Sequence, residues 1–137
     1  MPFDALPHWP SGPGTRLARR RRGRRSQLAG HAAEAEVARH YERRGARILA
    51  RRWRGRAGEI DLIAEDGGRV VFVEVRLRRS HAEAAESIGP AKLARLTAAA
   101  EEYLGRAFGH SGVPARIDAA LVDRLGRIRI LPGILPA

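Results

Sequence analysis

The chain contains no cysteine, which removes disulfides, thiolate metal sites and thiol nucleophiles from consideration and gives no sign of an oxidising compartment. It has one lysine, Lys92, so its cationic character is almost entirely guanidinium. Aromatic residues make up only 5% of the chain, too few for extensive stacking of bases on aromatic platforms. Uninterrupted apolar runs never exceed about eight residues, too short to cross a bilayer, and the N-terminus lacks the apolar segment of a secretion signal. A soluble cytoplasmic protein without membrane partners is expected.

What is abundant is arginine. The 137 residues carry a formal net charge of +11. Guanidinium groups hold phosphates through paired hydrogen bonds, so a polyanionic partner is expected, nucleic acid first. Arginine-rich composition also follows from a GC-rich genome, an alternative that needs no partner. The hydrophobic fraction of 44% suffices for one core in one domain. Residues 1–25 mix prolines with a run of arginines and read as a disordered basic arm, able to touch phosphate non-specifically or merely to solubilise the chain. Residues 26–137 read as a single domain.

Helical periodicity sets in at Ser26, a suitable N-cap, and stops at Gly45. Ala33, Val37 and Tyr41 share one helix face. At 100° per residue Glu34 lies roughly 40° from the centre of that face, whereas Glu36 and Glu42 lie about 120° away. Glu34 therefore looks inward. Strands are expected at 46–53, 59–65 and 69–78. Residues 80–89 read as a polar, mobile connection, and a second helix begins at Pro90, where the missing N–H is not needed. Further strands are expected at 115–123 and 127–131. The order is helix, three strands, helix, two strands, an α/β arrangement with a mixed central sheet flanked by helices.

Asp61 and Glu74 sit inside the apolar runs EIDLIAED and VVFVEV, and an unpaired buried carboxylate is costly. With Asp66-Gly67 as a two-residue hairpin loop, Asp61 falls opposite Phe72 and Glu59 opposite Glu74. Glu59, Asp61 and Ile63 then share a face with Val70, Phe72, Glu74 and Arg76, while Ile60, Leu62, Val71, Val73 and Val75 pack on the other. Asp61 and Glu74 become diagonal neighbours, roughly 7–8 Å apart at the backbone. Carboxylates that converge need a cation between them. Oxygen donors without cysteine or a spaced histidine pair suit Mg²⁺ or Mn²⁺ better than zinc. The alternative is an ion-pair network with arginines such as Arg52, Arg54, Arg56 and Arg76.

The segment GHAAEAEVARHYERRGARILARRWRGRAGEIDLIAEDGGRVVFVEVRLRRS, residues 30–80, resembles the YraN-like family of bacterial proteins, and the likeness continues through GPAKLARLTAAAEEYL and RIDAALV. The resemblance implies a restriction-endonuclease-like core of αβββαβ order, similar to archaeal Holliday junction resolvases. There, an acidic residue of the first helix, an aspartate of the second strand and a Glu-x-Lys of the third form the metal site. At the matching positions stand Glu34, Asp61, Glu74 and Arg76. By this resemblance Glu34, Asp61, Glu74 and Arg76 are the catalytic residues, and Glu34, Asp61 and Glu74 among them the metal ligands. Arg76 departs from the pattern, since arginine cannot lose a proton as lysine can. It retains the ability to bind the scissile phosphate.

The expected activity is a Mg²⁺-dependent, structure-selective endonuclease acting on branched or structured DNA, with RNA as a further substrate and a homodimer as the form suited to symmetric cutting. The alternative is a DNA- or RNA-binding module that keeps the fold without chemistry. Phosphate contacts are assigned to Arg51, Arg52, Arg54, Arg56, Arg78, Arg79 and Lys92, the last from a helix N-terminus. Glu59 is either a further site carboxylate or the partner of a loop arginine. Trp53 is read as packed beneath arginines rather than stacked on a base. Arg116 and Asp118 read as a structural ion pair, and the histidines show no ligand spacing.

Overall fold

The computed structural model describes residues 16–110 and 112–134. Its elements are α1 (Arg16–Arg43), β1 (Arg47–Arg54), β2 (Glu59–Asp66), β3 (Arg69–Leu77), α2 (His81–Glu86), α3 (Pro90–Phe108), β4 (Ala115–Val122) and β5 (Ile128–Leu131). The strands form one five-stranded sheet in the order β1-β2-β3-β4-β5. β1, β2 and β3 are an antiparallel meander, β3 and β4 run parallel, and β5 returns antiparallel to β4. The parallel step needs a crossover, which α2 and α3 supply.

α1 covers one face of the sheet. Ala33, Val37, Ala38 and Tyr41 pack on Leu62, Ala64, Val71, Val73, Ala120 and Val122. α3 covers the other, with Leu96, Ala99, Ala100 and Leu104 against Ile60, Ile63, Val70, Phe72 and Ile117. Alternating side chains in a strand serve both layers at once, which is why β3 and β4 are apolar almost throughout. A buried pair ties the layers together. Tyr41 donates its hydroxyl to Asp118 Oδ2 at 2.7 Å, and Arg116 Nε donates to Asp118 Oδ1 at 3.0 Å, so the fully buried Asp118 is satisfied. The Arg116–Asp118 ion pair expected from the sequence is present.

Four features differ from the sequence expectation. α1 begins at Arg16, so Arg16–Arg25, assigned to the arm, are helical; arginine is a strong helix former, and extending a packed helix costs little once it is nucleated. The rest of that arm, Met1–Thr15, lies outside the described residues. The connection 80–89 contains α2, whose first turn is capped by Ser80 accepting the Glu83 N–H at 3.1 Å and which buries Ala84 against Ala119 and Leu121.

The hairpin loop is Gly67-Gly68 instead of Asp66-Gly67. Both glycines adopt positive φ, 59° and 81°, where a Cβ would be strained. Phe72 consequently pairs with Ile63, a slip of two residues from its expected partner Asp61. A slip of two leaves every side chain on its expected face. The last difference is Ile60, which packs with Ile63 and Phe72 on the α3 side instead of with Leu62. Alternation breaks at Asp61, where the regular β2–β3 pairing ends at Leu62↔Val73.

Candidate nuclease centre

Asp61 is the hub of the carboxylate site. Its Oδ2 accepts the backbone N–H of Val75 at 2.8 Å, so an aspartate side chain takes over a rung that backbone supplies further along the ladder. That position, at the break in alternation, lets one carboxylate act on both faces of the sheet. Glu74, turned toward α3 and only 4% exposed, feels the Asp61 charge. Glu34, on α1, also feels the Asp61 charge. Burial foremost, then repulsion from Asp61, pushes the Glu34 and Glu74 carboxyls up to about 7.

Each raised carboxyl is met by cations. Arg76 Nη2 lies 3.1 Å and Lys92 Nζ 3.5 Å from the same oxygen, Glu74 Oε2. Arg52 Nε lies 3.8 Å from Glu34 Oε1 and its Nη1 meets the His31 ring. Arg52 reaches them from a left-handed backbone conformation, φ 47°, unusual for a non-glycine residue in a strand. It lies between the pairs Arg51↔Leu62 and Trp53↔Ile60, which places it across from Asp61. The inward angle deduced for Glu34 agrees with its half-buried side chain, whereas Glu36 and Glu42 are more exposed.

Of the remaining assigned residues, Glu59 pairs at 3.3 Å with Arg54, the last residue of β1 and not an arginine of the loop. Arg51 and Arg56 are exposed. Arg78 is half-buried and donates to the Leu77 carbonyl, and Arg79 approaches Glu83 at 3.9 Å. Lys92 does not stand apart on its helix; it joins the carboxylates. Trp53 packs edge-on against Tyr103 with the Arg106 guanidinium 5.9 Å above its ring, so the arginine over it comes from α3 and not from β1. Glu102 was not singled out by sequence. It accepts the N–H groups of Arg56 and Ala57 at 2.9 and 2.8 Å and thereby pins the β1–β2 loop to α3.

The donor set fits a hard divalent cation in kind. It is all oxygen, and the crowding of Asp61 with two raised carboxyls is the repulsion such an ion relieves. Among the described residues no group of three acidic, histidine or cysteine side chains is gathered as a ready ligand set. Asp61 and Glu74 are the pair most strongly coupled by charge, and Glu34 would join them by leaving Arg52.

A five-stranded mixed sheet flanked by helices, with the β1–β3 meander and the parallel β4, is consistent with the core of a restriction-endonuclease-like α/β protein. The chain belongs to the uncharacterised protein family UPF0102, whose model matches residues 33–122. It is 54% identical over 110 residues to the UPF0102 protein SPO0400 of Ruegeria pomeroyi, an alignment covering 80% of this chain and 89% of the relative. A UPF0102 protein of Dinoroseobacter shibae is 46% identical, with 85% and 87% covered, and the UPF0102 protein RPA0323 of Rhodopseudomonas palustris is 44% identical, with 79% and 83% covered. Among the described residues no helix is long and apolar enough to cross a membrane.

Proposed function

We infer that this chain is a structure-selective endonuclease dependent on Mg²⁺ or Mn²⁺, acting in the cytoplasm on branched DNA, with structured RNA as the alternative substrate. The observation that carries this reading is the buried Glu74 carboxyl, beside Arg76 and Lys92 and within the field of Asp61, a field that Glu34 also feels. Asp61 and Glu74 would hold the metal, completed by Glu34. When bound, the ion supplies Lewis acidity toward the phosphate and lowers the pKa of water.

The protein's own groups orient the reactants. Glu34 and Asp61 accept hydrogen bonds from the attacking water, while Arg76 holds a non-bridging phosphate oxygen. The water oxygen forms the new bond to phosphorus as the bond to the leaving sugar oxygen breaks. The water's proton passes to solvent, and the leaving oxygen takes one up. Exposed Arg51, Arg54 and Arg56 border the sheet edge formed by β1, where they would follow a phosphate backbone. A homodimer would supply two such centres for symmetric cutting of a junction.

The second reading, a nucleic-acid-binding module without turnover, is favoured by one observation, the arginine at position 76. Incubation of the purified chain with four-way, flapped and linear DNA and with hairpin RNA, in Mg²⁺, Mn²⁺ or EDTA, separates the two. Metal-dependent cutting that D61N abolishes is the expected result. Binding that falls steeply with salt but leaves every substrate intact would favour the module.

A further inference from the structure

The β3 strand carries arginine where a nuclease of this kind would carry lysine, yet the only lysine of the chain lies against the same glutamate from a different element. Lys92 is in the first turn of α3 and reaches Glu74 Oε2 beside Arg76. The two cations on Glu74 differ in kind. Arg76 is the more enclosed, 19% exposed, and its Nε is buried without a hydrogen-bond partner. Lys92 is 28% exposed on a flexible four-carbon stem. We propose that Lys92 is a catalytic residue, supplying from α3 the ammonium donor that β3 lacks and binding a non-bridging oxygen of the scissile phosphate.

The inference rests on the nuclease reading. The division of labour follows from side-chain chemistry. The guanidinium of Arg76, flat and held against Glu74, keeps that carboxylate in place and takes one non-bridging phosphate oxygen, leaving the other to Lys92. The Lys92 ammonium, compact and with three donors, turns from Glu74 to the phosphate as the substrate enters, with or without the cation. There it stabilises charge that grows on the phosphoryl oxygens during attack, which is where a fixed donor accelerates the reaction most. No proton is transferred by Lys92 in this role. Glu74 is its resting partner, so the ammonium is already within reach of the reacting group before substrate arrives.

Because Lys92 is the sole lysine, protein labelled with ¹³C at lysine yields a single Cε signal, a direct reporter of this residue. In EDTA, where nothing is cut, a four-way junction should shift that signal on saturation. K92A and K92Q, checked for folding by circular dichroism, should bind the junction within about threefold of wild type in EDTA yet cut it at least about 100-fold more slowly in Mg²⁺. Returning lysine to β3 in the double variant R76K/K92A should recover at least about tenfold of the lost cutting. The proposal is overturned if the Cε signal does not move at saturation, if K92A and K92Q cut like wild type, if binding and cutting fall in parallel, or if R76K/K92A recovers nothing. Wild-type protein that binds junctions and shifts the Lys92 signal but cuts no substrate with either metal overturns the nuclease reading itself. Wild type that cuts, with K92A equally active, overturns only the role of Lys92.

Discussion

Asp61 and Val75 are joined by a 2.8 Å hydrogen bond from the Val75 backbone N–H to Asp61 Oδ2, which makes the central site carboxylate part of the sheet as well. The two duties separate by substitution. In D61N the amide oxygen still accepts from Val75, so the fold should persist with a loss of at most about 1 kcal/mol while metal-dependent cutting disappears. D61A leaves the Val75 N–H without its partner and should cost about 1–3 kcal/mol in urea unfolding. Equal stability of the two variants would show that the rung contributes nothing.

The site should also leave a mark on the pH dependence of stability. In the unfolded chain Glu34 and Glu74 ionise near their ordinary value of 4.5, whereas in the fold they hold their protons until about 7. A raised carboxyl stabilises the fold fully below the lower value, and that contribution is lost as pH rises from 4.5 through 7. E74Q removes this loss for the more buried group. Wild type should therefore fall relative to E74Q between pH 4.5 and 7.5 by at most about 3 kcal/mol, measured by urea midpoints. Mg²⁺ favours the ionised carboxylates, so it should raise the melting temperature more at pH 8 than at pH 5.5.

Tyr41 and Asp118 carry a stability prediction independent of the candidate centre. Y41F removes a hydroxyl donor from a buried carboxylate and should cost about 1–3 kcal/mol. D118A should cost more, since Tyr41, Arg116 and the Gly133 N–H all lose an acceptor. Nucleic-acid affinity at a temperature where both variants are folded should not change.

Salt dependence tests the arginine face. If Arg51, Arg54 and Arg56 each neutralise one phosphate, single alanine variants should weaken binding to all DNA forms alike and lower the slope of log affinity against log salt by about 1 each. An unchanged slope would remove that residue from the interface. E102A tests the loop beneath Arg56. Without the acceptor for the Arg56 and Ala57 N–H groups, the loop loses its anchor on α3 and affinity should drop by a similar factor to R56A.

Much of this arrangement was legible in the chain itself. The inward angle of Glu34 followed from the spacing of Ala33, Val37 and Tyr41, and the faces of Leu62, Ile63, Val71, Phe72 and Val73 survived a one-residue error in the hairpin loop, which slips the register by two. The error arose because Asp-Gly and Gly-Gly both suit a tight turn, so the local signal does not choose between them. α2 was not read: the Ser80-x-x-Glu83 spacing marks a helix start, but six polar and alanine residues carry no periodicity to set it apart from a loop.

Sequence alone determined the kinds of element, the faces they bury and the excess of guanidinium, because each of these depends on neighbours within a few residues along the chain. Tertiary packing decided which charges meet. Lys92 reaches Glu74 because the first turn of α3 docks beside that residue of β3, Arg52 reaches Glu34 from a left-handed backbone, and Asp61 serves both layers where the ladder breaks beside it. Contacts between residues far apart in sequence are set by how whole elements dock, and no local pattern encodes that.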